Sequence, residues 1–102
     1  MASSVMKKKG FGPMQTITPI DDANPFTVPS DGIFTLVGEP TTGTATPIIR
    51  MTIKRNGATL KFGNGSNLGV PASVTQPVFK DDIVGADYAY QASLIGYFTP
   101  LE

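Results

Sequence analysis

Two pairs of adjacent aspartates, Asp21-Asp22 and Asp81-Asp82, come nearest to residues placed for chemistry. Carboxylates in loops can hold calcium, which accepts carboxylate and carbonyl oxygens. Two carboxyls can also run glycoside hydrolysis, but only when they converge across a cleft. Neighbouring side chains on extended backbone point apart, so neither pair is spaced for that work. The reading that fits both is turn chemistry, in which Asp oxygens accept from nearby backbone N–H groups and stay solvated. The chain contains no His and no Cys. Ser-His-Asp and Cys-His nucleophiles are therefore excluded, as are imidazole or thiolate metal centres. No catalytic residue, metal or cofactor is expected. A carboxylate-dependent hydrolase built on Asp81 or Asp82 is the competing class, and nothing in the spacing supports it.

Three other features bear on function. Lys7-Lys8-Lys9 is the one charge run; it suits an acidic partner surface better than a genome, because Lys plus Arg (8) only balances Asp plus Glu (8). Neither Gly10-Phe11-Gly12 nor Gly63-Asn64-Gly65 is followed by Lys-Ser/Thr or by a helix, so neither is a phosphate loop. Tyr88, Tyr90 and Tyr97 could stack on sugars, but tyrosines in a strand more often pack, since each buries a large ring with one polar tip.

The elements that must position these residues read as strands. In the run 48–54, Ile49, Met51 and Ile53 alternate with Arg50, Thr52 and Lys54, the pattern of a half-buried antiparallel strand. Asn56-Gly57 follows at once and predicts a type I′ hairpin, whose two central residues need positive φ. Ala58, Leu60 and Phe62 face inward on the return. Residues 63–69 are rich enough in glycine to read as an exposed loop. The stretch 88–98 reads as one closing strand with Tyr88, Tyr90, Ala92, Leu94 and Phe98 on one side. No window carries a helical period free of Gly, Pro or β-branched runs; the weak candidate, Asp82 to Leu94, is interrupted by Gly85.

At 102 residues the chain is one domain. Six to eight short strands fit, giving an all-β antiparallel sandwich or jelly roll over 25–102, preceded by an extended N-terminal arm over 1–24. Charged residues make up 16%, well below the usual quarter, which suits a surface covered by neighbours. No run reaches the length of a membrane span and the start lacks an apolar core, so neither membrane nor signal peptide is expected.

The order of these pieces resembles the small jelly-roll modules of bacteriophage capsid surfaces and fibre heads. The resemblance spans roughly Pro25 to Pro100. It is carried by the turn Val28-Pro29-Ser30-Asp31-Gly32 and the hairpin Arg55-Asn56-Gly57. The edge Pro77-Val78-Phe79-Lys80-Asp81-Asp82-Ile83-Val84 and the apolar Leu94-Ile95-Gly96-Tyr97-Phe98 complete it. Asp81 stands where that group usually has glycine, and Asp is among the residues that tolerate positive φ.

The resemblance implies a non-enzymatic virion protein, often trimeric and similar in shape to tumour-necrosis-factor and complement C1q heads. Most directly it implies a capsid decoration or cement protein on the shell exterior, bound to the major capsid protein and not to nucleic acid. Its expected capsid anchor is Lys7, Lys8, Lys9 and Phe11. Its expected oligomer interface is Tyr88, Tyr90, Tyr97 and Phe98. The alternative is the receptor-binding tip of a tail or head fibre, using Asn64, Ser66 and Asn67 with the loop 41–46 to reach a host glycan or surface protein.

Overall fold

The computed structural model describes residues 10–102, which form eight strands and no helix. These are β1 (Gln15–Ile17), β2 (Phe26–Thr27), β3 (Gly32–Pro40), β4 (Ile48–Arg55), β5 (Ala58–Gly65), β6 (Ala72–Val78), β7 (Ile83–Tyr90) and β8 (Ala92–Pro100). They make two four-stranded antiparallel sheets, ordered β1-β8-β3-β6 and β2-β7-β4-β5. Each strand pairs with its counterpart counted from the other end: β1 with β8, β2 with β7, β3 with β6, β4 with β5. The pairings β3–β8 and β4–β7 complete the sheets. That nested order is an eight-stranded jelly roll.

The alternation read in the sequence builds the core. Ile49, Met51 and Ile53 of β4 face Phe34 and Leu36 of β3, Val74 and Val78 of β6, and Phe98 of β8, all buried. Phe26 fills the β2 edge, with its ring 5.7 Å from Phe34 and 5.4 Å from Phe98. Tilted aromatic pairs at such distances add roughly 0.5–1.5 kcal/mol beyond area burial. Gly96 leaves room for this packing, since a Cβ there would lie 2.5 Å from Phe34 Cζ.

The turns follow their local chemistry. Asn56 (φ 50°) and Gly57 (φ 80°) carry the positive dihedrals of the β4–β5 hairpin. Asp81 sits at φ 74° in the β6–β7 turn, the conformation its glycine-like position requires.

Three expectations change. The segment 63–69 is not wholly loop: β5 continues through Gly65, held in register by Ile48↔Gly65 and Ile49↔Asn64. Ladder hydrogen bonds to β4 outweigh the weak strand preference of glycine. The stretch 88–98 is not one strand, because the chain reverses at Gln91 (φ 52°) and passes from one sheet to the other. Of the segment 1–24, residues 10–24 are described. They supply β1 at a sheet edge and send Ile20 into the core at 2% exposure.

Candidate binding surfaces

At the end of the sandwich that holds the β4–β5 hairpin, three connections are tied together by Asp82. Its carboxylate takes a two-pronged grip from Arg55, with Nε–Oδ1 at 3.0 Å and Nη2–Oδ2 at 2.6 Å. It also accepts the Phe79 N–H at 2.8 Å. The Asp82 carbonyl accepts from Val28, the Val28 carbonyl accepts from Asp81, and Asp31 accepts the Lys80 N–H. The Arg55 guanidinium lies 4.6 Å from the centre of the Phe79 ring. Asp82 is 3% exposed. The Arg55 hydrogen bonds hold its carboxyl below the usual carboxylate range, against the opposing effect of burial and with help from the Phe79 N–H. The same bonds raise Arg55. A cleft of about 300 Å³ opens beside this pair, lined by Arg55, Asn56 and residues 79–82. The charges at its base, Arg55 and Asp82, satisfy each other.

Next to it lies an apolar groove of about 240 Å³, where Phe11 and Leu101 meet Ile33, Pro77 and Phe79. Phe11 forms an antiparallel bridge with Leu101, the Gly12 N–H donates to the Pro100 carbonyl (2.8 Å), and the Glu102 N–H donates to Gly10 (2.6 Å). These bonds hold the Phe11 ring at the rim, 57% exposed.

The two outer sheet faces differ in kind. On β1-β8-β3-β6 the outward positions include Ile33, Thr35 and Val37 of β3 beside Ile95, Tyr97 and Thr99 of β8, all half-buried. Ser73, Thr75 and Pro77 of β6 continue the surface, and Thr35 and Thr75 hydrogen-bond through their hydroxyls at 2.9 Å. Among the described residues the face carries no charge until Glu39 at its far end. On β2-β7-β4-β5 the register slips by one residue between Arg50 and Met51, leaving Asp87 as the extra residue on β7. This bulge aims Asp87 outward, where Arg50 Nε bonds one oxygen and Lys61 Nζ the other, the latter at 2.9 Å. The Arg50 hydrogen bond, then Lys61, keep the Asp87 carboxyl below the usual range despite partial burial. On one side of this cluster Tyr88 and Tyr90 stand exposed with Ile48. On the other, Asp22 crosses the face, taking the Thr52 hydroxyl at 3.0 Å and donating its N–H to Ala86. Gly85 permits that crossing, since a Cβ there would meet Asp22 Oδ1 at 2.6 Å.

The residues singled out in the sequence scatter over these surfaces. Phe11 is at the groove, while Lys7, Lys8 and Lys9 lie outside the described residues. The four residues expected to form one oligomer interface do not share a surface. Tyr88 and Tyr90 face out from one sheet and Tyr97 from the other, and Phe98 is core at 2% exposure. The reversal at Gln91 is the cause. Asn64 lies within β5, where its Nδ2 donates to the Ser73 carbonyl (2.9 Å) and its Oδ1 accepts the Gly65 N–H. Ser66 and Asn67 open the following loop. The solvated-turn expectation fits one residue of each aspartate pair: Asp21 accepts from Asn24 and Asp81 is exposed in its turn, whereas Asp22 takes the Thr52 hydroxyl and Asp82 is buried on Arg55. Among the described residues no three acidic side chains converge on a metal position. Arg50, Asp87, Arg55 and Asp82 drew no pairing from the sequence, because their partners lie 27 to 37 positions away.

Compared with known proteins, the chain matches no family model, and no curated protein or solved structure shows significant similarity to it.

Proposed function

We propose that this chain is a non-enzymatic structural module of a phage particle exterior, a decoration or cement protein that binds the major capsid shell and stabilises it. The observation that carries the reading is the uncharged outer face of β1-β8-β3-β6. One face of an antiparallel sheet ordinarily meets water with polar and charged side chains. A face of Ile, Val, Thr and Tyr without a charge suits contact with another protein surface, a further copy of the chain included. Tyr97 at its centre is the residue kept from the expected interface. The Phe11 groove shares Ile33 and Pro77 with one end of this face, so a trimer contact confined to the end at Val37 and Ile95 leaves the groove to grip the shell, with Lys7, Lys8 and Lys9 supplying charge toward an acidic capsid surface. The Arg55–Asp82 pair is satisfied internally, which favours a bracing role for that corner.

The test is sedimentation with shells assembled from the major capsid protein of the same particle. Saturable co-sedimentation, weakened by Phe11→Ala, is the expected result. Protein that stays in the supernatant at saturating shell concentration overturns the proposal.

A further inference from the structure

The outer face of β2-β7-β4-β5 combines three features that the shell-binding reading does not use. Tyr88 and Tyr90 alternate along β7 on the outward side, which spaces their rings by about 7 Å. They are 45% and 47% exposed. Arg50 is the cross-strand partner of Tyr88, and Ile48 of Tyr90, so a charged donor and an apolar floor lie directly beside the two rings. On the far side of β4, the residues opposite Arg50 and Ile48 are Gly63 and Gly65. Among the described residues no β5 side chain walls the platform there.

Charge then selects the ligand. Arg50 and Lys61 share one carboxylate, Asp87, and with Asp22 on Thr52 and Lys54 farther along β4 counted in, the face carries one surplus positive charge. Arg50 uses Nε for that contact, and among the described residues no acceptor engages its two terminal nitrogens. Lys61 likewise uses one of its three N–H donors on Asp87. The unused donors are held by a carboxylate on a β-bulge, beside exposed aromatic rings. A pyranose carrying a carboxylate matches all of this. Its apolar ring face lies on tyrosine, its carboxylate takes the Arg50 fork and Lys61, and its hydroxyls reach Asp87.

We propose that this face binds acidic saccharides, of uronic-acid type, through Tyr88, Tyr90, Arg50 and Lys61, with Asp87 as the positioning residue. It lies on the sheet opposite the uncharged face, so a particle-bound protein can present it outward. The bound sugar replaces water over the tyrosines without displacing any protein contact.

The probe is hexagalacturonate, titrated into the full chain by calorimetry and by NMR shift mapping. Maltohexaose and a dT hexamer serve as neutral and nucleic-acid comparators. Expected is saturable, salt-weakened binding of hexagalacturonate, with shifts on Tyr88, Tyr90 and Arg50 and little binding of either comparator. Arg50→Gln should weaken it about tenfold and Tyr90→Ala about fivefold.

Gly63→Gln gives a variant that keeps the fold. A Cβ at Gly63 meets only the Ile49 carbonyl, at an ordinary 3.5 Å, while the longer side chain lies across the platform. It should abolish binding at unchanged Tm. Four results each overturn the proposal: no uronate binding, equal binding of maltohexaose, tighter binding of dT hexamer, or undiminished affinity in Gly63→Gln. A tyrosine variant that turns an oligomer into monomers also overturns it, since a second copy would then be the occupant.

Discussion

The two outer faces of this sandwich are built on the same strand alternation and end as opposite surfaces. On β3 and β8 the outward positions are β-branched or aromatic and uncharged. On β4, β5 and β7 they are Arg50, Lys61, Asp87 and two tyrosines, with glycines opposite. A common fold therefore does not set the character of a face. The first face can be covered by another protein without burying a charge, which would cost several kcal/mol if left unpaired. The second keeps its charges in water, where an ion pair contributes little to stability and its unused donors are available to a ligand.

The most direct way to break this contrast is to exchange charge between the faces. Val37→Lys places a cation in the middle of the uncharged surface, and light scattering should then report monomers where the unmodified chain reports an oligomer. Tyr90→Asp puts a charge on the other sheet and should leave the mass unchanged. If the two variants behave the other way round, the faces have been assigned in reverse.

Between the faces lies the Asp82 corner, which should govern stability without touching either. Asp82→Ala removes one partner of a buried pair and leaves two backbone-tied turns unheld. Urea unfolding should show a loss of about 3 kcal/mol, the low end for such pairs because Arg55 can still reach solvent. Oligomeric mass should not change beyond that loss.

A smaller effect is expected from pH. Asp82 and Asp87 both have folded-state pKa values below their unfolded ones. Their stabilisation is complete above the ordinary carboxylate pKa and is lost as pH falls through the depressed values. Tm should therefore be level near neutrality, where there is no histidine to titrate, and drop below about pH 4. In Asp82→Asn the acid-side drop should be shallower. The smallest change belongs to Lys61→Ala, which breaks an exposed contact and should cost about 0–1 kcal/mol in the same urea assay.

Legibility in the sequence followed the range of the interactions. The β4–β5 hairpin could be read because Asn56-Gly57 and the flanking alternation are local, whereas positive φ at Asp81 was suggested only by the glycine usual at that place in the modules the chain resembles. The buried Ile49, Met51 and Ile53 followed from period two. The reversal at Gln91 could not be read, since glutamine carries no turn signal and only the pairing of β8 with β3 requires it. The Asp87 bulge was hidden for the same reason: an extra residue in β7 shows only against Arg50 and Met51 on β4. Asp82 reads as half of an exposed pair until Arg55 is brought to it. Thr52 looks like an outward polar residue, yet it is buried because Asp22 folds over it. The candidate surfaces were therefore seen as residue types and not as groups. Tyr97 and Tyr90 are close in sequence and belong to different sheets.

The nested pairing of the strands also sets an order of assembly. Arg55 meets Ala58 across a two-residue turn, whereas Gln15 must find Phe98 near the far end of the chain. Loop closure is least costly for the innermost hairpin and rises with each strand added outside it. The β4–β5 ribbon is thus the natural seed, and β1, with three paired residues, closes last and opens first. Amide exchange should grade accordingly, slowest at Met51 and Ile53 and fastest at Gln15 to Ile17. The rim at Phe11 is next to the strand that lets go most readily, so a neighbour that seats Phe11 would also latch the roll shut.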